Sequence, residues 1–379
     1  MAETPWTRWR PGILNKDQIK TLWEIGRIGG KLREEDIDHS SFDLHLGKDC
    51  WHMRGSLKLR EDELFQPILT NGHFCVEELD LTKRTLLKPK STYVIKLEEE
   101  LQADGSGIKL NGIATGKSSI GRLDVLTRLI SEKCSKYDSI LQDPHTHLYV
   151  EVTPITLPIK VGVGDVLNQL RLFRGNPSIS VLRREEYDLF GGLIFNPRKE
   201  IRQLSLSLEP VRICDRNVIA FTTKKRQFGD EEAVDVSSPP GSLDPSLYWE
   251  PVFADNAACN SILIEKDRFY ILRSKERFQL PKDVGVYCRA ITESLGEIRI
   301  HYAGFVHPGF GLERTDGKEG TPLIFEVRGH TVDAFLRNGE LMAEVEFYRL
   351  SEEADCSVQS YGEQELQLSK YFRKWESFK

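Results

Sequence analysis

A long-period internal repeat constrains this chain more than any other feature. Tyr93-Val-Ile-Lys returns as Tyr270-Ile-Leu-Arg, with Glu99 and Leu101 answered by Glu276 and Phe278, all 177 residues later. Tyr149-Val-Glu151-Val returns as Ile324-Phe-Glu326-Val, 175 residues later. Gly164-Asp-Val-Leu-Asn-Gln-Leu-Arg-Leu-Phe173 returns as Gly339-Glu-Leu-Met-Ala-Glu-Val-Glu-Phe-Tyr348 at the same 175-residue offset. Three matches in one order indicate two copies of one unit, and the period is too long for a solenoid. The repeated segments are short runs rich in β-branched and aromatic residues, separated by Gly, Pro, Asn and Asp. That pattern predicts a mainly β chain built as two tandem compact domains, 1–200 and 201–379, joined after Phe195-Asn-Pro-Arg198.

The flanks are expected to differ from the repeats. Asn15 can cap a short opening helix with Gln18 as its reciprocal partner. Ile19, Leu22 and Trp23 would line its buried face and Gly26 would stop it. Lys224 to Pro245, with its Gly-Asp-Glu-Glu and Ser-Ser-Pro-Pro-Gly-Ser runs, is expected as a flexible loop inside the second copy. The mixed polar and aromatic tail, Tyr361 to Lys379, is expected either docked on the surface or fraying.

Composition narrows the functional classes. At 39% hydrophobic the chain can fill real cores, so global disorder is excluded. No apolar run is long enough to span a membrane, and the polar start lacks a secretory signal, so a cytoplasmic protein is expected. A net charge of −6 argues against non-specific nucleic-acid binding while leaving room for a local basic pocket. The 7 cysteines are scattered and form no Cys-x-x-Cys, which predicts neither a disulfide framework nor a zinc site.

The densest chemistry lies in Gly112-Ile-Ala-Thr-Gly-Lys117-Ser118-Ser119-Ile-Gly-Arg122-Leu. Two hydroxyls and two cations within six residues of a Gly-flanked turn can meet phosphate oxygens. Asn111 stands where a Walker A loop needs Gly, so this is not one. An exposed turn with a solvated lysine is the plainer alternative. The second copy has Arg289-Ala-Ile-Thr-Glu-Ser294 at the matching place and lacks this set. Conversely, the second copy alone has the turn Tyr302-Ala-Gly-Phe-Val-His-Pro-Gly-Phe-Gly311. Its glycines would let backbone approach a planar ligand on which Phe can stack, although an ordinary hairpin would look the same. Glu151 and Glu326 sit in apolar strands. Each is either on the solvent face or held inward for proton transfer, and apolar residues on both sides leave the choice open.

With these residues in view, the chain resembles the dCTP deaminases of the dUTPase superfamily, in their fused, double-length bacterial form. Leu14-Asn-Lys-Asp-Gln-Ile-Lys resembles the family's opening helix and Ser40-Ser-Phe-Asp-Leu-His-Leu-Gly47 its first long strand. Lys117-Ser-Ser-Ile-Gly-Arg-Leu resembles its Arg-Ser-Ser-Leu-Ala-Arg-Leu motif. Phe305-Val-His-Pro-Gly-Phe resembles its nucleoside hairpin and Leu323-Ile-Phe-Glu the strand after it. The resemblance implies a distorted jelly-roll fold, homo-oligomers (trimer or dimer), and hydrolysis of dCTP, bound with Mg²⁺ and without zinc, to dUTP and ammonia. It further implies a composite site where an N-half meets a C-half.

In that site the resemblance makes Glu326 the general base toward C4, with Glu151 its rival. Ser118 would hold the attacking water and Arg122 would orient the carboxylate or the serine. Lys117 and Ser119 would bind phosphate oxygens. Gly304, Phe305, Val306, His307 and Phe310 would form the nucleoside hairpin. Gln169 would be either structural or near phosphate, and Tyr361 and Lys370 would close over the triphosphate. Lys117 and His307 depart from the family's Arg and Asp. The alternatives are a dUTPase or bifunctional enzyme, which the missing hairpin aspartate disfavours, and a nucleotide-binding regulator without turnover.

Overall fold

The computed structural model describes residues 7–102, 110–141, 146–187, 194–195, 202–290, 298–300, 304–312, 314–356 and 364–378. The expected domain join near residue 200 falls outside the described residues, as do the 291–297 segment of the second copy and Tyr361.

The opening helix forms over Lys16–Glu24, with the reciprocal Asn15–Gln18 capping box, and its Ile19 and Leu22 are buried. Beyond it the chain is mainly β, in two large sheets of matching topology. In the N-half, neighbours run Ser139–Leu141, Leu110–Gly116, Val166–Arg174, Ser41–Met53, Thr92–Leu101, Thr146–Pro154 and Val125–Ser131. In the C-half, Phe305–Val306, Val284–Ala290, Leu341–Arg349, Gln203–Ser207 and Phe269–Phe278 repeat that order, and Thr321–Gly329 pairs with Phe269–Phe278.

Register is repeated as well. Gln169 lies opposite Thr115 and Glu344 opposite Arg289, while Glu151 lies opposite Val94 and Glu326 opposite Ile271. Side chains alternate across a strand, so keeping register keeps each repeated residue on its original face. The pair Glu99 and Glu276 shows what that preserves. Both are fully buried, and each carboxylate accepts a backbone N–H, from His45 at 2.7 Å and from Ser205 at 2.6 Å. The second oxygen of Glu99 meets His45 Nδ1 at 2.7 Å, and that of Glu276 accepts from the Ser205 hydroxyl at 2.6 Å.

The halves do not sit apart. The largest apolar core draws on N-half strands and also on Val218, Phe221, Phe228, Val234, Trp249, Phe269 and Ile271. The Lys224 to Pro245 segment corrects the expectation of a flexible loop. Its Val234–Asp235 strand adds in parallel to Ile159–Val161 of the N-half, and Val234 is fully buried. Burial of Phe228 and Val234, at about 1.5–3 kcal/mol per large apolar side chain, outweighs the loop-like composition. The tail docks, with Leu366, Leu368, Tyr371 and Phe372 buried in the shared core. Among the described residues no helix is long and apolar enough to cross a membrane. All 7 cysteines are unbridged.

Candidate functional site

A pocket opens where the two halves meet. Its N-half wall is Gly116, Lys117, Ser118, Gly121, Arg122 and Val125–Thr127. Its C-half wall includes Gly304–His307, Phe310 and Leu323–Glu326, and Gln364 of the tail closes one side.

The N-half wall is one tight turn. The Leu110–Gly116 strand ends at Gly116, where a Cβ would come within 2.6 Å of Thr127 Oγ1, so only glycine lets the two strands approach this closely. Lys117 then turns the chain into the short helix Ser118–Gly121. Arg122 follows, 3% exposed, with its guanidinium aimed at the tail: it donates to Gln364 Oε1 at 2.7 Å and to the Gln367 carbonyl at 3.2 Å. Ser118 is exposed toward the pocket, whereas Ser119 is buried and its carbonyl accepts from the Ser369 hydroxyl at 2.6 Å.

Strand alternation settles the open question at Glu326. Phe325 and Val327 point into the C-half core. Ile324 packs against the shared core, and Glu326 shares its face, so the carboxylate faces the other half. It lies directly on Gly121: a Cβ added there would be 2.9 Å from the Glu326 carboxyl carbon and 3.0 Å from Oε1. The glycine between Ser118 and Arg122 therefore makes room for a carboxylate from the opposite half.

Glu151, in the same register, stands elsewhere. It is 6% exposed and accepts from the Ser56 hydroxyl at 2.8 Å, the Leu57 amide at 3.2 Å and the Tyr137 hydroxyl at 3.2 Å. Its partners are all N-half groups, and it does not line the pocket.

One end of the site is charged. Lys117 Nζ lies 2.6 Å from both oxygens of Asp43, which pairs in register with Gln169, and Gln169 Oε1 accepts from the Ser41 hydroxyl at 3.2 Å. Desolvation pushes the Asp43 carboxyl above its usual value, with Lys117 opposing. Lys370 of the tail joins this end: desolvation, then the like charge of Lys117, pulls its ammonium below the ordinary value. Two neighbouring cations that repel each other are suited to a polyanion.

The hairpin forms the other end. Phe305 is gripped between halves, its ring 3.8 Å from the Arg171 guanidinium and 5.0 Å from Tyr287. Gly285 must be small, because Phe305 occupies the place of its Cβ. The His307 ring is 5.2 Å from that of His39 of the N-half, and desolvation lowers its pKa, so the neutral imidazole is favoured near neutrality. Val306 and Phe310 are buried in the wall, and Gly304 is exposed at its edge.

The structure therefore gathers Lys117, Ser118, Arg122, Glu326 and residues 304–307 and 310 around one pocket. Gln169 and Lys370 lie with the Lys117–Asp43 pair, while Ser119 is buried outside the pocket lining and Glu151 bonds to other N-half groups. Sequence reasoning missed Gln364, Thr127 and Cys288 in the wall, and nothing in their local sequence marks them. Cys288 is packing, its thiol pushed up to about 12 by burial. Asp43 and Arg171 lay inside noticed motifs, but only contacts across strands show their partners. Among the described residues no group of three or more His, Cys, Asp or Glu side chains is placed to hold a metal ion.

Comparison with known proteins agrees in extent with this two-part architecture. The family model for the 2'-deoxycytidine 5'-triphosphate deaminase N-terminal domain matches residues 10–176, and that for the C-terminal domain matches residues 191–372. The crystal structure of 2'-deoxycytidine 5'-triphosphate deaminase from Agrobacterium tumefaciens is similar, with a TM-score of 0.79 and 28% identity over 90% of this chain and 99% of that one. Comparison with curated proteins gave no match.

Proposed function

The chain belongs to the 2'-deoxycytidine 5'-triphosphate deaminase family, and on that premise we propose that it hydrolyses dCTP to dUTP and ammonia at the pocket between its halves. The observation that carries this reading is the meeting of Glu326 with the Ser118–Gly121–Arg122 turn, since hydrolytic deamination needs a base, a held water and an orienting cation at one point.

Glu326 takes a proton from a water that the Ser118 hydroxyl holds against C4 of the cytosine. The water oxygen bonds to C4, and the proton passes through the Glu326 carboxyl toward the 4-amino group. The C4–N4 bond then breaks, ammonia leaves, the second proton of the water passes from the C4 hydroxyl to N3, and the 4-oxo, N3–H ring of dUTP remains. Arg122, held by Gln364, fixes the turn, and through it would orient the carboxylate or the serine. The hairpin backbone at 304–307 reads the base edge, and neutral His307 packs beside it. The triphosphate lies toward Lys117, Lys370 and Gln169 and brings Mg²⁺ with it as part of the substrate. This route asks nothing of zinc. Both walls come from one chain, so assembly into a trimer or dimer would multiply sites rather than create them.

Incubation with dCTP and with dUTP tests the reading. We expect ammonia from dCTP and no pyrophosphate from either nucleotide. Pyrophosphate from dUTP would mark a dUTPase, and nucleotide binding without product would mark a regulator.

A further inference from the structure

One buried ion pair crosses between the halves beside the pocket. Asp124 is fully buried and stands two residues after Arg122 of the Ser118–Gly121–Arg122 turn; its amide donates to the Gly121 carbonyl at 2.9 Å. Its carboxylate meets the Arg328 guanidinium, two residues beyond Glu326 on the same strand face. Both partners are further braced. Thr156 donates to Asp124 Oδ2 at 2.5 Å, and the Ile155 amide donates to the Asp124 carbonyl at 2.9 Å. Arg328 also donates to Thr156 Oγ1 at 2.8 Å and to the Asp267 carbonyl at 2.9 Å.

The Thr321–Gly329 strand therefore touches the turn at two points one strand repeat apart: Glu326 on Gly121, and Arg328 on Asp124. The N-half copy differs at the second point. There the position of Arg328 is held by Thr153, whose hydroxyl meets that of Thr92 in its own half at 3.1 Å.

We propose that Asp124 and Arg328 are positioning residues that set the separation between the Glu326 carboxylate and the Ser118–Arg122 turn. Neither reaches the substrate; they act through the strand and the turn that carry the reacting groups. A braced ion pair suits this role because a guanidinium fixes direction as well as distance. The catalytic part of the proposal rests on the reading of Glu326 as base, whereas the geometric part does not.

Two measurements test it. With dCTP, Arg328→Gln is expected to lower kcat by about 100-fold while KM stays within about twofold, because the Lys117 end is untouched. Arg328→Lys should recover about tenfold of that loss. Asp124→Asn, which suits the left-handed backbone of Asp124 (φ +61°), should reproduce the kcat loss. A parallel rise in KM, or no recovery with lysine, would overturn the positioning role. Independently of turnover, Gly121→Cys with Glu326→Cys should form a disulfide readily in the full chain, and adding Arg328→Gln should slow closure about tenfold. Equal closure rates would overturn the proposal whatever the substrate. A slowed closure in a protein whose native form releases no ammonia from dCTP would uphold the geometric role and discard the deaminase reading.

Discussion

The strands carrying Glu151 and Glu326 are one strand written twice. They share register, alternation and an apolar core-facing side. Their carboxylates nevertheless have opposite surroundings. Glu151 accepts from a serine, a backbone amide and a tyrosine of its own half, and three donors on one carboxylate hold it in place. Glu326 faces the turn of the other half, in the pocket. The difference comes from what packs against the strand. The Ser56–Leu57 loop covers Glu151, while the outer face of the Glu326 strand is covered by the other half of the chain. A duplicated domain can thus keep its sheet and give its carboxylates different surroundings without changing the strand itself.

The sharpest way to break this comparison is to neutralise each carboxylate. Glu326→Gln is expected to lower kcat for dCTP about 1,000-fold or more while nucleotide still binds, whereas Glu151→Gln should leave kcat within about threefold. Ammonia release at saturating dCTP decides it, and the reverse ranking would move the reacting centre into the N-half.

A smaller effect is expected from the tail, which the C-half anchors and the N-half uses. Glu365 is surrounded by Arg273, Arg277, Arg314 and Lys318, with contacts from 2.7 to 3.3 Å, and the neighbouring Gln364 holds Arg122. Desolvation alone would push the Glu365 carboxyl up, but the Arg277 and Lys318 contacts outweigh it and hold it below the usual range. Removing this one carboxylate leaves four cations facing each other. Glu365→Ala should cost about 2–3 kcal/mol in urea unfolding, a figure reduced for partial exposure. It should also lower kcat more than it raises KM. Unchanged stability would show that the tail is held by its apolar contacts alone.

The smallest effect separates the two buried glutamates. The hydrogen bond to Glu99 raises the His45 pKa above its unfolded value of about 6.5, with desolvation opposing. A raised basic pKa contributes stability that is complete below the unfolded value and is lost as pH climbs through the folded value. The N-half should therefore weaken from about pH 6.5 upward, while the Ser205–Glu276 counterpart has no histidine to titrate. His45→Ser should flatten that slope in thermal unfolding followed across pH, and an undiminished slope would assign it to another group.

Much of the fold was legible. The capping residues Asn15 and Gln18 and the apolar periodicity of the repeats are local signals, and the structure follows them. The Lys117-Ser-Ser-x-x-Arg turn and the hairpin could be singled out because each survives in one copy only. The Lys224–Pro245 segment differs from its loop-like reading, since its polar residues carry the composition while buried side chains such as Phe228 and Val234 carry the energy. Gln364 and the Asp124–Arg328 pair had no local signature, and the repeat that holds Arg171 did not show its partner. Each matters through a partner more than 100 residues away.

Periodicity, capping and turn chemistry act over a few residues, so the sequence by itself determined that there are two β units and which short segments bear reactive groups. Only tertiary structure decided which of two equivalent glutamates would meet those groups. That choice depends on the face of one half that covers the strand of the other, a long-range contact that no window of neighbouring residues encodes.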